Sequence, residues 1–352
     1  MEINDFIDNL SEWLKGTGPD ANIIITSRIR LARNTREFFF PERMDSAQKD
    51  RFFERIKKIN ESTNELKSYG FIDMEGTSYT DRQFLCERHL ISRDMLDFSH
   101  QNGLLLRRDE VCSIMLCEED HLRIQAVKSG FCLHKTWEIV EKIEDILAGQ
   151  LDFAFTPELG YLTSCPTNVG TGLRASCMLH LPGLIMTKKI NKILELVAKL
   201  SFTTRGFFGE GTQAIGNFFQ VSNQVTLGAS EIEILNNLSG IIKQIKTREL
   251  EAREYMVSKY RVSLEDKIWR ALASIKSARI ISSEETLSHL SLLRLGIDLG
   301  IIRNLDKQLI NHLFIMIQPA HLQKVYNKEL PHKKRDFVRA KLLREKLKNI
   351  SL

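Results

Sequence analysis

The hydrophobic pattern of this chain changes character once, at Ser230, and that change narrows the folds open to it. Before Ser230, short apolar runs mix with helical spacing. Ile23-Ile24-Ile25 and residues 111–116 (Val-Cys-Ser-Ile-Met-Leu) read as strands. Residues 45–65 place Phe52, Phe53, Ile56 and Ile59 on one helical face, and 137–147 and 191–200 repeat the pattern. Residues 218–227 alternate weakly and end at Gly228, again strand-like. Strands and helices mix without strict alternation, so the predicted class is α+β, an antiparallel sheet flanked by helices. After Ser230 no convincing strand appears. Residues 230–259 form one long charged amphipathic pattern, and 264–275, 283–294, 305–317 and 335–348 all read as helices. An all-α C-terminal domain is expected from about Ser258. The length of 352 residues suits two such domains.

Composition removes several classes. The net charge of +5 is too mild to indicate nucleic-acid binding, which is not favoured. The six cysteines contain no C-x-x-C pair, which argues against a zinc knuckle or a thioredoxin-like motif. Residues 1–13 carry Glu2, Asp5, Asp8 and Glu12, unlike a signal peptide. The apolar stretch 297–302 is far too short to span a bilayer. The expectation is a cytoplasmic enzyme with reduced thiols and no membrane partner.

No Walker A loop and no G-x-G-x-x-G is present, so a phosphate site must be built another way. Arginine supplies one, because its planar fork grips phosphate oxygens in pairs and stays charged. In Thr26-Ser27-Arg28-Ile29-Arg30, the two arginines lie two apart at a strand end and share a face. Residues 165–176 combine glycines, which admit close backbone approach, with Arg174 just beyond them. Arg205 and Glu210 stand at the two ends of a glycine-containing loop. Each segment alone reads more readily as a solvated edge or a turn. Glu118-Glu119-Asp120 end a buried-looking strand and precede His121 and Arg123. Acids there also suit a helix N-terminus, the role expected of Asp120.

Together these segments resemble the phosphagen (guanidino) kinases. The string C-P-T-N-x-G-T-G at 165–172 is that family's signature, and E-E-D-H-L-R at 118–123 and R-G-x-x-G-E at 205–210 also match. The branch is similar to the bacterial protein arginine kinases, which have a helical domain after the catalytic one rather than before it. Phosphotransferase and helical domains are expected at 1–257 and 258–352. Small departures are Thr26 for serine, Cys177 for valine and Phe208 for tyrosine.

The resemblance implies ATP and Mg²⁺. It implies that Arg28, Arg30, Arg123, Arg174 and Arg205 clamp the phosphates and that His89 lies against the nucleotide. Thr26, Ser27 and Ile29, Ala175, Ser176, Cys177 and Met178, and Gly206, Phe207, Phe208, Gly209 and Glu210 complete the pocket. Glu119 matches the catalytic base, Glu210 the second substrate carboxylate, and Cys165 the reactive cysteine beside the guanidinium. Glu118 is expected to meet Mg²⁺ through water.

A guanidinium has a pKa above about 12 and is a poor nucleophile. Two carboxylates can hold its edge and take its proton as the P–N bond forms. In the tail, Arg335, Asp336, Phe337, Val338, Arg339 and Ala340 match the branch's phosphoarginine pocket, R-D-x-x-R-A, within a basic helix. Arg335 and Arg339 are four apart, so both are expected to reach one phosphate. The implied partners are proteins with exposed arginines, a zinc-binding activator, the Clp degradation machinery and a second copy of the chain. The apolar crowding from Leu292 to Ile302 motivates the homodimer. The competing readings are a kinase for free arginine-like guanidines and an idle phosphoarginine-binding adaptor.

Overall fold

The computed structural model describes residues 2–96, 101–206 and 215–350. Its strands are β1 (Ile24–Arg33), β2 (Tyr69–Asp73), β3 (Gly103–Arg107), β4 (Cys112–Leu116), β5 (Leu122–Ser129), a short hairpin of β6 (Phe155–Thr156) and β7 (Gly160–Tyr161), β8 (Leu173–His180), β9 (Phe202–Gly206) and β10 (Phe218–Asn223). Apart from the hairpin they form one eight-stranded antiparallel sheet in the order β2-β3-β4-β5-β1-β8-β10-β9. The helices are α1 (Ser46–Ser62), α2 (Tyr79–Glu87), α3 (Leu133–Ala148), α4 (Pro182–Met186), α5 (Ile190–Lys199), α6 (Glu231–Ser277), α7 (Ser283–Asp298), α8 (Lys307–Met316), α9 (Pro319–Tyr326) and α10 (His332–Lys346). The α+β class with a helical C-terminal part is what the pattern predicts. No described helix is long and apolar enough to cross a membrane.

Alternation along the central strands sorts side chains onto two faces. Ile29 and Leu31 of β1, Ile124 and Ala126 of β5, and Leu173, Ala175, Cys177 and Leu179 of β8 turn one way. They join Phe52 and Ile56 of α1, Val140 of α3, and Leu235, Leu238 and Ile242 of α6 in one core. The other face is divided. At one end Ile25, Val127, Met178 and Phe218 share a second core with the C-terminal helices, including Leu290, Leu293, Phe314 and Leu343. Each leucine or isoleucine fully buried there stabilises the fold by roughly 1.5–3 kcal/mol. The other end of that face carries the arginines.

Helix α6 belongs to both cores. A capping box starts it: Ser230 Oγ accepts from Glu233 N at 3.3 Å, and Glu233 Oε2 accepts from Ser230 N at 2.8 Å. It runs 47 residues and departs from helical geometry at Tyr260 (φ −134°, ψ 29°). Ile234 to Ile245 pack in the first core and Leu264 to Ile275 in the second. The expected boundary at 257/258 falls inside this helix, three residues before the kink. The crowded run from Leu292 to Ile302 is consumed internally. Leu293, Leu295 and Ile302 are buried, and Leu292, Ile297, Leu299 and Ile301 pack against the same core. Much of the run's apolar surface is thus covered within the chain, with Leu292, Ile297, Leu299 and Ile301 left partly exposed.

Candidate active site

Strand pairing gathers the arginines. Arg28 and Arg30 project from one face of β1. Arg30 pairs across β1–β8 with Arg174, Arg123 lies on neighbouring β5, and Arg205 on β9 pairs with Gln220. Arg174 thus lies on β8 just beyond its glycines, and Arg205 lies near the end of β9. Arg28, Arg30, Arg123 and Arg205 line one cavity of about 610 Å³ together with His89, Cys86 and Asp94. Burial, then Arg123, lowers the Arg28 guanidinium to about 9. Burial, then Arg28, Arg123 and Arg174, holds Arg30 well below the usual arginine value. Among the described residues, the buried Nε atoms of Arg28 and Arg30 meet no hydrogen-bond acceptor. Like charges crowded together with unmet donors fit a polyanion such as a nucleotide triphosphate.

Beside the cavity, the turn from β4 to β5 carries the acids. Glu118 is buried and ion-paired with Arg123. Burial pushes its carboxyl up, but Arg123 more than offsets this and holds it below the ordinary range. Glu119 is exposed. Partial burial, then the Asp120 and Glu118 charges, lift it above the ordinary carboxylate value. Asp94 lines both the arginine cavity and an adjoining one of about 300 Å³ that holds Glu118 and Glu119.

Asp120 is not at a helix N-terminus, because β5 follows directly. Its Oδ1 accepts from Asn34 Nδ2 at 2.6 Å and from Ser164 N at 2.7 Å. Ser164 Oγ returns a bond to the Glu119 carbonyl at 2.8 Å. The Glu119 turn is thereby clasped to the loop bearing Cys165, whose Sγ lies 3.0 Å from Thr167 Oγ1. Buried His121 braces the same turn: Nδ1 accepts from Thr35 N at 3.1 Å, leaving Nε2–H to donate to the Phe39 carbonyl at 2.8 Å. The clasp of Asn34, Asp120 and Ser164 carries one sequence signal, Asp120 within E-E-D-H-L-R.

The signature loop needs its glycines. Gly172 has φ +64°, and a Cβ there would stand 2.6 Å from the Ala32 carbonyl. Gly172→Ala is expected to lower stability by at least ~2 kcal/mol. Gly228→Ala, equally left-handed but in open space, should cost only about 1–2 kcal/mol. Urea midpoints of the two variants check the difference.

Other predicted positions divide by face. Thr26, Ser176 and Met178 line a small recess with Arg28, His89 and Gln220. Ser27, Ile29, Ala175 and Cys177 point the other way: Ile29, Ala175 and Cys177 lie in the first core. Ser27 Oγ donates to the Gly130 carbonyl at 2.8 Å and accepts from Cys132 N at 2.9 Å. Gly206 is buried opposite Phe219. Phe207, Phe208, Gly209 and Glu210 lie outside the described residues. In α10, Arg339 is buried and donates to the carbonyls of Ile317 and Ile281, both at 2.9 Å, and pairs with Asp336. Arg335 donates to the Leu330 carbonyl at 3.2 Å. Phe337 is half-exposed, while Val338 and Ala340 join the second core. Arg339 is thus committed largely to backbone, not presented beside Arg335 on an open face.

Among the described residues no group of three or more His, Cys, Asp or Glu is arranged to hold a metal ion. Glu118, already neutralised by Arg123, fits contact with a hydrated cation better than direct ligation.

An arginine-lined cleft on an antiparallel sheet, edged by carboxylates, fits a guanidino phosphotransferase. The profile of the ATP:guanido phosphotransferase C-terminal catalytic domain matches residues 50–252, and that of the protein-arginine kinase McsB C-terminal domain matches 261–352. A protein-arginine kinase of Desulforamulus reducens is 45% identical over 355 residues, spanning 100% of this chain and 99% of the relative. One from Brevibacillus brevis is 44% identical, spanning 99% and 98%. Among solved structures, lombricine kinase superposes with a TM-score of 0.59 at 25% identity over 67% of this chain and 69% of that one. The duplicated taurocyamine kinase of Schistosoma mansoni shares the fold, with a TM-score of 0.58 at 24% identity over 65% of this chain and 33% of that one. The chain belongs to the protein-arginine kinase family of ATP:guanido phosphotransferases.

Proposed function

We propose that this chain transfers the γ-phosphoryl group of ATP to arginine side chains presented by other proteins. The observation that carries the reading is the convergence of Arg28, Arg30, Arg123 and Arg205, from three strands, on one cavity beside Glu119. In the reaction, Glu119 and Glu210 bind the guanidinium edge, and Glu119 accepts the proton that nitrogen loses on attacking the γ-phosphorus. The bond from that phosphorus to the β–γ bridging oxygen breaks, and ADP leaves with the electron pair. The raised pKa of Glu119 makes it a stronger base than an ordinary carboxylate. The arginines hold the phosphates in line and offset their charge, so positioning and electrostatics do most of the work. A divalent cation, Mg²⁺ in this reading, neutralises charge on the transferring group when bound; Glu118 would reach it through water. Cys165 orients the incoming guanidinium.

In the same reading the tail takes up phosphoarginine through Arg335 and Asp336, with buried Arg339 holding Asp336 in place. The marked proteins pass to Clp-type degradation, and a zinc-binding activator assists the kinase. These steps rest on the family resemblance.

The test is incubation with Mg-ATP and an arginine-bearing protein, with free arginine in a parallel arm. Mass spectrometry should find phosphate on protein arginines, and the label should be lost in acid, as a P–N bond requires. Free arginine should drive little ADP release. Acid-stable label on hydroxyl side chains, or equal turnover with free arginine, would overturn the reading.

A further inference from the structure

The end of helix α2 runs directly into the arginine cleft. Glu87 is its last residue, Arg88 follows, and His89 lines the cavity with Arg28 and Arg205. His89 has φ +61°, a left-handed conformation that helix ends usually assign to glycine. A bulky residue kept in such a position points to a role beyond the turn. Its ring lies 5.4 Å from that of Trp13, and its carbonyl accepts from Gln125 Nε2 at 2.7 Å.

The two residues before His89 are both held by one side chain of the C-terminal helices. His321 of α9 places Nδ1 2.9 Å from Glu87 Oε2 and Nε2 3.3 Å from Arg88 Nη1. A guanidinium only donates, so Nε2 is the acceptor and Nδ1–H donates to Glu87 Oε2. Burial, then Arg88, holds His321 well below its ordinary value, which keeps the ring neutral at neutral pH. Glu87 also accepts from the backbone N–H groups of Ala320 at 2.9 Å and His321 at 3.1 Å, closing the N-terminus of α9. Arg88 is fixed further by Glu110 Oε1 at 2.5 Å, Ser11 Oγ at 2.8 Å and the Asn9 carbonyl at 2.8 Å. The His321 ring packs on Phe84 at 4.3 Å.

We propose that His321 is a positioning residue for the nucleotide: by fixing Glu87 and Arg88 it sets His89 in the cleft, and so places ATP affinity under the control of the C-terminal helices. The proposal rests on the reading of the cleft as the ATP site. Residues of the same helices, Ser283, Gln318 and Pro319, line the cavity as well, so the path from α9 to the ligand is short.

The test uses the full chain, a fluorescent ATP analogue with Mg²⁺, and steady-state kinetics on an arginine-bearing protein. His321→Phe keeps the packing on Phe84 and removes both polar contacts. It should raise the Kd and KM for ATP about tenfold, the scale of one lost hydrogen bond to a charged group, and leave the KM for the protein unchanged. His321→Asn, which restores a donor toward Glu87, should recover part of the loss. Leu322→Ala, at the next position and buried in the helical core, should lower Tm without weakening ATP. Wild-type ATP affinity in His321→Phe, or an equal loss in Leu322→Ala, would overturn the proposal. A wild-type chain that binds no nucleotide would overturn the reading of the cleft and the proposal with it.

Discussion

Glu119→Gln is expected to lower phosphoryl transfer by at least ~100-fold, the usual scale for loss of a general base. The amide keeps the shape of the side chain and gives up the proton acceptor. Glu119 is exposed on the β4–β5 turn and makes no ion pair among the described residues, so folding should not suffer. Glu118, by contrast, is tied to Arg123, and changing it would disturb the cluster as well as the chemistry. ATP affinity should therefore be unchanged in the glutamine variant. Stopped turnover with intact ATP binding, measured by ADP release and by titration with the nucleotide, is the expected pair of results. Near-normal turnover would remove Glu119 from the mechanism.

Arg30→Met should make the protein more stable and far less active. In the free chain, Arg30 faces Arg28, Arg123 and Arg174 in a desolvated setting that disfavours its charge. Methionine keeps the apolar stem and removes the repulsion, so Tm of the nucleotide-free protein should rise by a few degrees. Turnover should fall about a thousandfold, as when a transition-state arginine is lost from other phosphotransferases. Saturating ATP should raise the Tm of the wild type more than that of the variant. A lower Tm in the nucleotide-free variant would show that Arg30 holds the fold together and is not strained within it.

The residues that line the cleft were more legible in the sequence than the strands that carry them. Arg28 and Arg30, two apart beside β-branched residues, announce both a strand and a shared face. The Glu118 to Asp120 run marks a strand end whether or not the role of each acid is known. Strands β8 and β9 were hidden because glycines precede one and polar Phe-Thr-Thr-Arg-Gly composes the other, an edge strand with little apolar alternation. Strand β5 did alternate, with Leu122, Ile124 and Ala126 on one face and Arg123, Gln125 and Val127 on the other, but the polar residues of the second face resemble a surface. The Asp120 clasp reaches Asn34 and Ser164, 86 and 44 residues away, and no local pattern encodes such a contact. The crowding from Leu292 to Ile302 is a related case: an apolar count says that a surface must be covered, and the fold shows that neighbouring helices of the second core cover much of it.

Ile25, Val127, Met178 and Phe218 belong to the same strand faces that bear Arg28, Arg123, Arg174 and, through Gln220, the partner of Arg205. The catalytic half is therefore not a module that could be cut out and joined to another accessory domain. Excised at the kink in α6, it would carry a greasy strip directly beside its ligand cleft. A catalytic half that stood without these helices would need polar residues at the four strand positions. Ancestry in the two halves should accordingly be shared: grafts between distant relatives at Tyr260 should yield insoluble chains unless these four strand positions travel with the helices they touch.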